Sequence, residues 1–118
     1  MDLESREKRL NEMVLKGEAL DAFEEFYAED CVMAESAGRW EGKDTNRERE
    51  KDFFSKITEL RGVEHRGGTV DEENNRTYSE WHFDYTHEEW GDVKYDQIAV
   101  RDWNEDGEIV RERFFKID

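Results

Sequence analysis

This chain predicts an α+β fold, helices first and an antiparallel sheet after. Three observations carry that expectation. Apolar residues recur at helical spacing through the first half, and after Gly62 the period changes to two. Compact turn clusters then punctuate the chain: DEENN at 71–75, EWG at 89–91 and NEDG at 104–107. No linker, low-complexity tract or internal repeat interrupts the 118 residues, so a single domain over 1–118 is expected.

Residues 2–15 read as a helix with Leu3, Leu10, Met13 and Val14 near helical spacing, broken by Gly17. Residues 18–28 read as a second helix carrying Ala19, Leu20, Phe23, Phe26 and Tyr27 on one face. A short extended piece, Cys31–Glu35, and a loop at 38–42 containing Trp40 follow. Asp44 has the chemistry of a helix cap, with Phe53, Phe54 and Ile57 facing inward from the helix after it. Strands are expected at 63–70, 76–87, 92–103 and 108–117. EWG fits a three-residue hairpin loop with glycine in the left-handed conformation.

Alternation assigns faces to these strands. On 76–87, Trp81, Phe83 and Tyr85 share one face and should pack on the helices; Glu80, His82, Asp84 and Thr86 take the other. If NEDG joins its strands with an even loop, Tyr95, Gln97, Ala99, Arg101 and Trp103 share a face with Val110, Glu112 and Phe114. The opposite face then carries Ile98, Val100, Ile109 and Phe115, an apolar row for so acidic a chain.

Composition narrows the function classes. Hydrophobic residues make up 35% and charged residues 43%, but seven Phe, four Trp and four Tyr within periodic segments supply a core that aliphatics alone would not. The net charge of −15 disfavours nucleic acid and anionic membrane surfaces as partners. No segment has the length and apolarity of a membrane span, and MDLESREKRL lacks a signal-peptide core. Cys31 is the one cysteine, so no intrachain disulfide can form. A cytoplasmic protein is the expectation.

The segments ALDAFEEFYAEDCVMAES at 19–36, GKDTNREREKDFF at 42–54, YDQIAVRDW at 95–103 and DGEIVRERFF at 106–115 resemble, in their order and spacing, the NTF2-like superfamily and within it the SnoaL-like proteins. The resemblance implies a cystatin-like cone: a curved antiparallel sheet wrapped around the N-terminal helices, with a ligand pocket at one end, and commonly a homodimer through the outer sheet face. It does not imply one activity, since the fold hosts isomerases, cyclases, hydrolases and non-catalytic modules. Counting from Tyr27, the general base of ketosteroid isomerases falls on Glu35. Their second acid, which donates to the oxyanion, falls on Ala99. The His and Asp of the polyketide cyclases fall on Glu112 and Phe114. Neither apparatus is complete.

Glu35 is therefore the candidate catalytic residue, expected at a pocket floor beside Tyr27, Met33 and Trp40, where desolvation would raise its proton affinity. Its structural reading is a carboxylate paired with an arginine or capping a backbone amide. Arg101 and Glu112 are expected as a buried ion pair able to orient a ligand, and Trp81, Tyr85, Gln97 and Phe114 as pocket wall or plain core. His82 and Asp84 form a polar strand face assigned outward; His65 and His87 are expected in solvent. ESREK at 4–8 and NREREK at 46–51 read as solvated helix surface. No metal-ligand spacing and no cofactor is implied. The function expected is binding of a small, mostly apolar molecule in the cone, with acid–base chemistry of the isomerase or cyclase type. The other reading is a non-catalytic ligand-binding or dimeric interaction module.

Overall fold

The computed structural model describes residues 2–117. Its elements run α1 (Leu3–Leu15), α2 (Ala19–Phe26), β1 (Tyr27–Glu35), β2 (Gly38–Glu41), α3 (Lys43–Ser55), β3 (Ile57–Asp71), β4 (Arg76–His87), β5 (Gly91–Trp103) and β6 (Ile109–Ile117). The Asp2 carboxylate accepts from the Ser5 amide at 2.8 Å and caps α1. Gly17, at φ 80°, ends it in a conformation that other residues adopt at a cost. In α2, Ala22, Phe23 and Phe26 are buried one turn apart, and the chain then passes straight into β1 at Tyr27.

One six-stranded sheet has the order β2-β1-β6-β5-β4-β3. Four of its five pairings are antiparallel; β1 lies parallel to β6, with Met33 opposite Glu112. The sheet is thus curved and mixed. A parallel neighbour can come only from a distant segment, and here the first strand docks on the last. Two strands are longer than expected: β1 begins at Tyr27 instead of Cys31, and β3 spans Ile57–Asp71. Ile57 accordingly opens a strand and is not a helix residue. Gly42 precedes α3, while Asp44 sits in its first turn holding Arg47 at 2.6 Å.

The face assignments on β4 and β5 match the register. Trp81 lies opposite Gln97, Phe83 opposite Tyr95 and Arg101 opposite Glu112. Gly91 supplies the left-handed φ of 76° that closes the β4–β5 turn. One inner residue was expected outside. Trp103 pairs with Ile109 and Asp102 with Arg111, so Val110 is the extra residue of a bulge. The bulge turns Ile109 into the core at 0% exposure. There it joins Leu10, Phe23, Phe26, Tyr27, Cys31, Met33 and Trp103.

Candidate functional site

The inner sheet face is covered unevenly. At one end α1 lies against β3 and sends Glu7 to Thr77 of β4 and Arg101 of β5, and at the other Phe53 of α3 packs on Tyr85 and His87 with ring centroids 5.8 Å away in each case. Between these covers the inner face is half-open. Along β5, Trp103, Arg101 and Ala99 are buried, whereas Gln97, Tyr95 and Val93 are half-buried. On β6, Ile109 and Glu112 are buried and Phe114 is half-buried.

The covered end holds a polar knot. Arg101 donates through Nε to Glu112 Oε2 at 2.7 Å and through Nη1 to Glu7 at 2.9 and 3.0 Å and to Asn11 Oδ1 at 2.9 Å. The Tyr27 hydroxyl donates to the other Glu112 oxygen. Thr77 donates to Glu7 at 2.8 Å and accepts from the Trp103 indole at 2.9 Å. Arg101, Glu7 and Glu112 side chains are 5%, 8% and 2% exposed, so two carboxylates share one guanidinium out of water. Burial works against the Arg101 charge, but Glu7 and Glu112 outweigh it and hold its pKa above the ordinary value. Burial, then the Glu112 charge, pushes the Tyr27 hydroxyl well above the usual phenol range.

The open end holds a different set. Glu35 is on the inner side of β1, as expected, but at the rim: its carboxylate is 40% exposed and 3.7 Å from Arg49. The desolvation expected of Glu35 falls on Glu50 instead. Glu50 is 19% exposed, its close partner being Arg49 at 3.8 Å. Burial, reinforced by Glu112 and Glu35 and opposed by Arg49, raises its pKa to about 7. The Arg49 guanidinium lies over Trp40 at 3.7 Å. The Tyr85 hydroxyl is 2.7 Å from that of Tyr95, and burial raises its pKa.

The structure therefore joins Tyr27, Arg101 and Glu112, and separates them from Trp40 and Glu35 at the rim. Met33 is buried opposite both Glu112 and Trp40, Trp81 is 1% exposed beside Gln97, and Tyr85 is 2% exposed. Two surface readings are corrected. Glu7 of ESREK and Glu50 of NREREK both face inward. Glu7 falls on the stripe of Leu3, Leu10 and Val14, and Glu50 lies one turn from both buried Asn46 and half-buried Phe53, so helical spacing could have found them. His87 is also buried, at 2%, stacked 3.7 Å from the Trp90 ring. His82 faces outward as assigned, though its Nδ1 meets Asp96 at 2.7 Å while Asp84 pairs with Arg61. Cys31 is fully buried, and desolvation pushes its thiol up to about 11. No helix among the described residues is long and apolar enough to cross a membrane.

The profile of the SnoaL-like domain matches residues 8–112. The chain belongs to the SnoaL-like domain family. Among solved structures, a Mesorhizobium loti protein assigned to the SnoaL-like polyketide cyclases is similar over 98% of this chain and 99% of its own, at 22% identity and a TM-score of 0.87. A Bacillus subtilis protein assigned as an isomerase matches over 99% and 90%, at 21% identity and a TM-score of 0.80. An NTF2-like protein of unknown function from Exiguobacterium sp. 255-15 matches over 99% of both chains, at 14% identity and a TM-score of 0.74. At such identities these neighbours establish the NTF2-like fold. No curated protein matches the chain.

Proposed function

We propose that this SnoaL-like domain binds a small, mostly apolar molecule on the half-open inner face and moves a proton to or from it through Glu50. The observation that supports this reading is the contrast between the two carboxylate groups. Glu112 is enclosed by Tyr27 and Arg101. Glu50 is desolvated but weakly partnered, and its pKa of about 7 suits proton transfer near neutral pH. Glu50 thus takes the role that counting from Tyr27 assigns to Glu35. Glu35, at the rim, contributes negative charge that keeps the Glu50 proton on. Half-buried Trp40, Tyr95, Gln97, Phe114 and Phe53 form the wall, an apolar surround with a few polar groups. Arg101 and Glu112 brace it.

The test is exchange of the hydrogen next to a carbonyl in deuterated water, followed by proton NMR over a panel of small apolar carbonyl compounds with and without an amine. Wild type should catalyse exchange for some member, and Glu50→Gln should lower that rate by about a hundredfold or more, the scale of a lost general base. Glu35→Gln should lower it less than tenfold. A Glu50→Gln rate equal to wild type removes Glu50 from the chemistry.

A second reading, a dimeric interaction module, is favoured by the outer face. Ile98, Phe115 and Ile117 are 42%, 54% and 75% exposed there, with Ile98 directly opposite Phe115. Val100 and Ile109, expected in the same exposed row, are buried at 5% and 0%, so the row is shorter than its sequence suggests. A homodimer through this face is part of both readings. Sedimentation equilibrium should give twice the chain mass for wild type and the single-chain mass for Phe115→Lys; a wild-type monomer removes the dimer.

A further inference from the structure

Buried polar groups in a folded protein are nearly always hydrogen-bonded, so an unfilled one shows what is missing. Asn46, 0% exposed, lies one helical turn before Glu50 on the same face of α3. Its amide nitrogen donates to Trp40 O at 3.0 Å and to Gly42 O at 2.9 Å, which fixes the orientation of the amide. Its Oδ1 is left buried with no partner. The Ser79 hydroxyl, on the inner face opposite Ala99, is likewise buried and unpartnered. The vacant capacity beside Glu50 on α3 is therefore acceptor capacity, the Asn46 amide oxygen and the weakly partnered Glu50 carboxylate, while the Ser79 hydroxyl can both donate and accept.

Charge points the same way. From the elements packed around Glu50 come Glu112 of β6, Glu35 and Tyr27 of β1, and Arg49 of its own helix. Glu112 already shares Arg101 with Glu7, so carboxylates outnumber guanidiniums on this face. The aromatic walls are used by cations of the chain itself: Arg49 over Trp40 at 3.7 Å and Lys116 Nζ over Tyr95 at 4.5 Å. Aromatic faces with carboxylates beside them are the chemistry that holds alkylammonium groups.

We infer that the ligand of this face is an amine, an apolar body carrying a cationic, hydrogen-donating nitrogen seated between Glu50 and the Trp40–Tyr95 walls. This rests on the inner face being a binding site, as proposed above. An ammonium there supplies the donor that the Asn46 oxygen lacks and the positive charge that the carboxylates lack. It also favours the ionised form of Glu50, so binding should release a proton and tighten as pH rises through about 7.

The probe is benzylammonium, a cation whose nitrogen donates hydrogen bonds and which stays protonated throughout pH 6 to 8, measured by calorimetry in 0.15 M salt. Its all-carbon isostere ethylbenzene and the anion phenylacetate are measured beside it. The cation should bind at least tenfold more tightly than the isostere, phenylacetate should be undetectable, and affinity for the cation should rise severalfold from pH 6 to pH 8. Glu50→Gln should remove both the preference and the pH dependence. Glu64→Gln, which deletes the same charge from an exposed site on β3, should change neither. An isostere that binds as tightly as the cation overturns the amine and leaves the binding face standing. Equal weakening by Glu64→Gln and Glu50→Gln also overturns it, since the attraction would then be the diffuse field of an acidic protein. Failure of both cation and isostere to bind overturns the amine and the binding face together.

Discussion

The covered and open ends of the inner sheet face are built from the same side-chain types and differ in how their charges are met. Under α1, Glu7 and Glu112 are fully engaged by Arg101, Tyr27, Thr77 and Asn11, and the indole of Trp103 completes the set. Under α3, Glu50 has Arg49 at 3.8 Å, and Asn46 keeps an unmatched oxygen. Burial alone does not distinguish structural from functional carboxylates; satisfaction does. A buried charge with its hydrogen bonds complete is a brace, whereas a desolvated charge with few partners has its proton affinity displaced and is available to a ligand.

The sharpest way to break this comparison is to leave the covered end as poorly matched as the open one. Arg101→Met removes the guanidinium shared by two carboxylates that are 8% and 2% exposed. Uncompensated buried charge of this kind costs about 3–5 kcal/mol, a large part of a small domain's stability. Urea unfolding at pH 7 should show that loss, and the triple variant Glu7→Gln/Arg101→Met/Glu112→Gln should recover most of it, because it removes the charges together. A single variant as stable as wild type would mean that the knot is not the brace its geometry describes.

Much of this architecture was legible because strand alternation is a strong signal. Trp81, Phe83 and Tyr85 face in and His82 faces out as the period of two requires, and Arg101 shares the inner face with Glu112 as expected, the bulge at Val110 setting their pairing. The β1–β6 pairing was less legible, since it joins segments about eighty residues apart with no local turn to announce it. Ile109 moved inward through a one-residue bulge, which alternation cannot foresee. The larger gap concerned the site. Glu7 and Glu50 lie in charged helical runs that read as solvated surface, and only the docking of α1 and α3 on the sheet takes them out of water. His87, next to a turn, is covered by Phe53 and Trp90, contacts made by tertiary packing alone. Glu35 was placed on the right strand face, but burial depends on what lies above that face, and at the rim little does.

The open end makes a smaller prediction with a definite sign. Glu50 has an ordinary pKa of 4.5 when unfolded and about 7 in the fold. A group whose folded pKa is raised contributes stability that is complete below the unfolded value and is lost as pH rises through the folded one. Ionising Glu50 therefore lowers stability between about pH 4.5 and 7, by about 2–3 kcal/mol once its partial exposure and the nearby Arg49 are allowed for. Glu50→Gln never ionises. The difference in unfolding free energy between Glu50→Gln and wild type should be near zero at pH 4, grow through pH 6, and level off in favour of the variant by pH 8. Taking this difference cancels every other titrating group that the two chains share. Glu35→Gln, at the exposed rim, should stay within about 0.5 kcal/mol of wild type across the same range. If both variants gave flat profiles, Glu50 would be as solvated as Glu35, and the two ends of the face would differ in packing but not in electrostatics. If Glu50→Gln alone follows the curve, the protein carries at its open end a strain in charge that a ligand, rather than the fold, is positioned to relieve.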